Sequence, residues 1–86
     1  MKLLNKEIDM ISWTSKEGIL TPVRFRMEEN GENVVVRIGR ILQTEQDHFG
    51  GTPNLTFRCT SIIRGEEKLY ELTYSSRTQK WRLKKM

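Results

Sequence analysis

Arg24, Arg26, Arg37, Arg58, Arg82 and Lys84 are the side chains in this sequence best suited to chemistry, and the chemistry is capture of an anion. A guanidinium presents a planar fork that matches phosphate or carboxylate in a bidentate fashion. Their spacing matters more than their number. Asn30-Gly31 separates two alternating apolar runs, and Asn-Gly is the strongest short-range signal for a type I′ hairpin. Counting outward from that turn sets Met27 opposite Val34, Phe25 opposite Val36 and Val23 opposite Ile38, all on one face. The other face then carries Arg24 opposite Arg37, with Arg26 beside them. Like charges set across a ladder are destabilising, so such a pair calls for an explanation.

The elements that must hold these side chains read as six strand-like runs without an amphipathic helix of ordinary length. Residues 7–13 alternate as a strand does, yet Leu4, Ile8 and Ile11 also fit a short helix. Lys16-Glu17-Gly18 reads as a turn, and Pro22 opens the second strand. The third runs from Asn33 to about Gln43 and changes parity at Gly39, which points to a bulge that bends it. Residues 43–54 carry Gly50-Gly51 and Pro53 and read as a long irregular loop. Gly65 at the first central position of a type II′ turn sets Ser61 opposite Tyr70, Cys59 opposite Leu72 and Phe57 opposite Tyr74. The last strand then sets Trp81 opposite Tyr74 and Leu83 opposite Leu72.

Parity holds through both hairpins, and that agreement is stronger support than any single propensity. It gives an all-β domain over residues 1–86: an antiparallel meander, strongly bent or closed into a small barrel. Its core is expected to be Val23, Phe25, Met27, Val34, Val36, Ile38, Phe57, Cys59, Tyr70, Leu72, Tyr74, Trp81 and Leu83.

Charge is segregated by position. Seven of the fifteen basic residues lie within strands, and six of these share the outward parity. Seven of the eleven acids lie in turns or in the 43–54 stretch. The outward face is therefore expected to be more positive than the net charge of +4. Together with Thr56, Thr60 and Thr73, such a face suits a nucleic-acid backbone or an acidic protein. The competing reading is a solvated face with ordinary cross-strand pairing. It sets Glu71 opposite Lys84 and diagonal to Arg58, but leaves Arg24 and Arg37 without an opposite-charge neighbour in their own hairpin. The aromatic residues Phe25, Phe57, Tyr70, Tyr74 and Trp81 share the core parity, whereas an RNA-stacking sheet interleaves aromatics with its basic residues.

Other candidates lead less far. His48, near Glu45 and Asp47, is the only histidine, so neither a metal site nor a cofactor is expected. Phe49 is expected to tuck against the barrel rim, and Trp13 to be buried. Cys59 lies in an alternating apolar run and reads as an inert core thiol. There is no nucleophile–base pair, P-loop, dinucleotide fingerprint or Cys-x-x-Cys, so no enzyme is expected. A lone cysteine, no long apolar segment and no signal-peptide pattern fit a cytoplasmic protein that does not engage membranes.

Five segments also carry a family resemblance: Pro22-Val-Arg-Phe25, Val35-Val-Arg-Ile38-Gly-Arg-Ile41, Phe57-Arg-Cys59, Tyr70-Glu-Leu72 and Trp81-Arg-Leu83. They resemble a small uncharacterised bacterial β-domain family, some of whose members are encoded beside translesion DNA polymerases. The resemblance spans residues 8–84, and Gln43-Thr44-Glu45-Gln46 stands where such members carry aromatics. It implies an accessory role near nucleic acid and supplies no catalytic residues. The sequence thus points to a non-enzymatic binding module. Its alternative is an interaction or oligomerisation domain using an edge strand or the outward Val35, Ile62 and Leu69, with Ile62 facing Leu69. A third reading is a small-molecule pocket at the barrel mouth, lined by residues 43–54.

Overall fold

The structure is a computed structural model that describes residues 1–49 and 51–86, without the side chains of His48, Phe49 and Thr52. Seven strands, β1 (Leu3–Thr14), β2 (Leu20–Glu29), β3 (Glu32–Arg37), β4 (Arg40–Phe49), β5 (Thr52–Ile63), β6 (Glu66–Ser75) and β7 (Lys80–Lys85), form one sheet. Its order is β3-β2-β1-β7-β6-β5-β4, and every ladder is antiparallel. Two meanders, β1–β3 and β4–β7, are therefore joined along the β1–β7 ladder. Lys2 and Met86 close its end through paired backbone bonds of 2.8 and 3.0 Å.

The chain order alone requires curvature. The two edge strands, β3 and β4, are consecutive in sequence and joined only by Ile38 and Gly39. Three virtual bonds span at most about 11 Å, whereas the edges of a flat seven-stranded sheet lie roughly 29 Å apart. The sheet therefore curls into a half-barrel whose edges meet at Gly39. There the Gly39 N–H donates to the Thr60 carbonyl on β5 at 2.9 Å. The six expected runs are present, the third being divided at the glycine where its bend was expected.

The inner face carries the core: Phe25, Met27, Val36, Phe57, Cys59, Tyr70, Leu72, Trp81 and Leu83 are buried, with Val34, Ile38 and Tyr74 packed against them. Phe25 meets Tyr70 edge to face at 5.6 Å, and Trp81 lies 5.4 Å from Phe57 and 5.0 Å from Tyr74. Burial of Cys59 pushes its thiol up to about 11, so it carries no appreciable thiolate at neutral pH.

Several sequence expectations are corrected. Val23 is 41% exposed because β2 bulges there: Ile11 pairs with Arg24 and Ser12 with Pro22, leaving Val23 as the extra residue. Parity flips across the bulge, and Pro22 takes the buried place. Pro22 lies inside β2, which begins at Leu20, and proline is tolerated at a bulge.

The described residues of 43–54 are not a loop but the outer part of the β4–β5 hairpin, paired from Gln43↔Arg58 to Phe49↔Thr52. The stretch from Ile41 to Asp47 is exposed throughout, so it lacks the alternation by which a strand is recognised. The expected place of Phe49 on the rim and the role weighed for His48 lie outside the described side chains.

At the Asn30-Gly31 turn both residues have positive φ (53° and 77°), as a type I′ turn requires. The second hairpin is also of this kind, at Arg64-Gly65 (52° and 79°), with glycine in the second central place rather than the first. This slides the register by two residues: Ser61 faces Lys68, Cys59 faces Tyr70 and Phe57 faces Leu72. A slip of two preserves the faces, so the inward set survives although its pairs change. Ile62 then opposes Glu67 and Leu69 opposes Thr60, so the expected Ile62–Leu69 patch does not form.

Candidate functional site

The outer face is ordered by charge, strand by strand. Following the sheet from β4, its central rows carry Glu45 and Asp47 on β4, Arg58 on β5 and Glu71 on β6. They continue with Lys80, Arg82 and Lys84 on β7, Glu7 and Asp9 on β1, Arg24 and Arg26 on β2, and Arg37 on β3. In these rows the sign alternates at every step until the last, where Arg24 and Arg37 stand opposite each other as the Asn-Gly count requires; Arg40 and Glu28 share the outer parity at the ends of β4 and β2.

Three of the six expected anion-binding residues are thereby occupied. Arg26 donates from Nε and Nη2 to the Oδ2 of Asp9 at 3.0 and 2.6 Å. Arg58 donates to Glu71 at 2.8 Å across the β5–β6 ladder. Arg82 reaches Glu7 at 3.3 Å and the Asn5 carbonyl at 3.2 Å. Glu7 and Asp9 come from β1, the segment whose state the sequence left open, and this is why they were missed as partners. Lys84 shares a shallow groove with Gln43, Glu45, Asp47 and Glu71, so its surroundings are acidic. The outer face, expected to be more positive than the net charge, is a patchwork of both signs. Among the described residues neither Arg24 nor Arg37 has an acidic partner.

Glu71 is the best-anchored acid, only 8% exposed. Its hydrogen bond from Arg58, aided by the charges of Lys85 and Lys84, holds its carboxyl below the usual range against an opposing effect of burial. A carboxyl that titrates lower when folded stabilises the fold above the unfolded pKa and loses that contribution as pH falls through the folded value. Wild type is therefore expected to lose more of its urea midpoint than Glu71→Gln does between about pH 6 and about pH 3. Equal losses would remove Glu71 from the acid response.

Near Arg24 and Arg37 the outer surface is apolar. Ile11 lies opposite Arg24 on β1, and Val35 lies opposite Arg26 on β3. Trp13, expected to be buried, is 62% exposed: the alternation of β1 turns Ile8 and Met10 inward and sends Ile11 and Trp13 out. An open cleft bordered by Asp9, Ile11, Arg24, Arg26 and Val35 marks this surface. Among the described residues of the β4–β5 hairpin, Gln43, Glu45, Asp47, Asn54 and Thr56 border shallow grooves on the outer face.

The buried hydroxyls serve structure. Ser61 Oγ donates its single proton to the Arg37 carbonyl at 2.7 Å, so the Tyr70 hydroxyl, 2.6 Å away, is the donor to Ser61. Gly39 N–H also points at this oxygen, at 3.3 Å. Burial pushes the Tyr70 phenol up to about 12, so it keeps its proton. No histidine or carboxylate takes part in these bonds.

No family model matches the chain, and neither a curated protein nor a solved structure is significantly similar to it.

Proposed function

We propose that this domain is a non-enzymatic binding module that takes an anionic partner on the outer face of β2 and β3, with Arg24 and Arg37 as the contact residues. The observation that carries the reading is the break in charge alternation. Every other outer strand faces a neighbour of opposite sign, whereas these two guanidiniums face each other. They form a non-hydrogen-bonded cross-strand pair, next to the Ile38 N–H to Val23 carbonyl bond, so their Cα atoms are about 4.5 Å apart, which lets both address one phosphodiester segment. The partner class is nucleic acid, held by its backbone and without base reading, because the neighbouring Ile11 and Val35 offer no hydrogen bonds to base edges.

Fluorescence anisotropy with labelled single-stranded and duplex oligonucleotides tests this. Micromolar binding is expected at low salt, with a log–log salt slope of about −1.4 for two neutralised phosphates on a single strand. Arg24→Ala/Arg37→Ala should abolish it, while Arg58→Ala and Arg82→Ala leave it within about twofold. An absence of binding at low salt, or equal losses in both sets, refutes the proposal. Arg37→Glu provides a second check. It should leave stability unchanged or raise it by up to about 1 kcal/mol by replacing a like-charge pair with an opposite one, while removing binding. A side chain whose replacement stabilises the fold is retained for something other than the fold.

A further inference from the structure

The least protected strand edge of this molecule lies inside its sheet order. β1 pairs with β2 as far as Thr14↔Leu20, but its ladder with β7 ends at Ile8↔Trp81. Among the described residues, the strand therefore has a paired neighbour on one side only from Met10 to Thr14. Exposed edges are normally guarded by charge, proline, a bulge or short length. The nominal edge β3 is only six residues long and carries Glu32 and Arg37. The nominal edge β4 has a register shift after Ile41 and carries Glu45 and Asp47. Met10-Ile11-Ser12-Trp13-Thr14 has no charge, no proline and no glycine, and its own backbone is not bulged toward the open side. β-branched and aromatic residues make it a favourable pairing strand. An open space of about 880 Å³ adjoins it, bordered by Met10, Thr14 and Trp81 and also by the charged Glu7, Asp9 and Lys80. On its outer face Ile11 and Trp13 are 51% and 62% exposed, and Ile19, 64% exposed, lies at the same tip of the β1–β2 hairpin.

We infer that this edge receives the same edge of a second copy, so that two chains join β1 to β1 in an antiparallel, two-fold contact. A two-fold contact must complement itself, and this segment does. With the axis near Ser12, the outward Ile11 and Trp13 of one copy fall beside Trp13 and Ile11 of the other. Met10, Ser12 and Thr14, on the opposite face of the strand, align in the same way. Each copy carries a net charge of +4, and residues 10–14 bring no charge of their own to the contact, so pairing them adds no direct charge repulsion. The joined sheet would run β3-β2-β1-β1-β2-β3 across the axis and set the two Arg24–Arg37 pairs about 14 Å apart at β2. The inference does not depend on an anionic partner, because it rests on the edge and not on the arginines.

Sedimentation velocity over a dilution series, at moderate and at high salt, tests it. The weight-average mass should rise toward twice the 10.2 kDa chain mass as concentration increases, without loss in high salt. Ile11→Lys and Trp13→Lys, both at exposed positions, should each hold the chain monomeric with an unchanged circular dichroism spectrum. Wild-type tryptophan emission should shift to the blue as the dimer forms, and Trp13→Phe should lose that shift. A wild-type chain that stays monomeric overturns the inference. So does an association that either lysine variant retains, or one that dissolves in salt. A monomer that instead binds a synthetic strand peptide along this edge overturns it too, by assigning the edge to another protein.

Discussion

Gly39→Ala is expected to lower the unfolding free energy by about 2–3 kcal/mol, read as a lower urea midpoint at unchanged slope. The cause is space rather than backbone conformation, since Gly39 is not among the residues with positive φ. A Cβ added there would lie 2.8 Å from the Thr60 carbonyl oxygen and 3.4 Å from the Ser61 Cα. Both are backbone atoms of a paired strand, so neither swings aside as a side-chain tip would. Relief has to come from separating β4 from β5 at the point where the chain crosses from one sheet edge to the other. That weakens the 2.9 Å bond from Gly39 N–H to Thr60. A chain of 86 residues has roughly 4–13 kcal/mol of stability, so the loss is a large share. Gly39→Val should cost still more. At Gly31 an added Cβ meets nothing within 4 Å, so there the cost comes from the positive φ alone. A Gly39→Ala protein as stable as wild type would show that the two edges do not depend on this close approach.

Ser61→Ala is expected to cost about 1–3 kcal/mol, and Tyr70→Phe about 1 kcal/mol. The asymmetry follows from the direction of the bonds. Ser61 stands between Tyr70, which donates to it, and the Arg37 carbonyl, which accepts from it. Removing Ser61 leaves the wholly buried Tyr70 hydroxyl without a partner, whereas removing the Tyr70 hydroxyl leaves Ser61 still bonded to Arg37. The double substitution should therefore cost less than the sum of the two, by about 0.5 kcal/mol or more. Strict additivity would mean that the hydroxyls do not act together. Because Arg37 contributes its carbonyl to this bond, the stitch also fixes the strand that carries its guanidinium.

The hairpin at Asn30-Gly31 was readable to the residue, because a two-residue turn fixes every pair by counting. The second hairpin was readable only in its faces. Whether Gly65 takes the first or the second central place depends on Arg64 accepting a positive φ, and nothing in its side chain announces that. The bend at Gly39 showed as a change of parity, but the reason for glycine there, the carbonyl of Thr60, lies twenty-one residues away. Val23 was misplaced because the bulge that turns it out arises where β2 pairs with a strand the sequence left undecided. The same indecision hid Glu7 and Asp9, the partners of Arg82 and Arg26, and so made the basic face look broader than it is. The hairpin from Gln43 to Asn54 escaped because β4, exposed from Ile41 to Asp47, has no buried face there to impose a period.

The most direct test of a contact surface confined to two arginines is a nitrogen-edited NMR titration, observing backbone amides and arginine Nε–H groups, with a single-stranded oligonucleotide at low salt. Shifts should concentrate on Arg24, Arg37 and the adjoining Val35 and Ile11, with the Nε–H resonances of Arg58 and Arg82 nearly unmoved. Shifts of equal size at Arg58, Arg82 and Lys84 would contradict it, because they would mean that the acids beside those residues do not neutralise them.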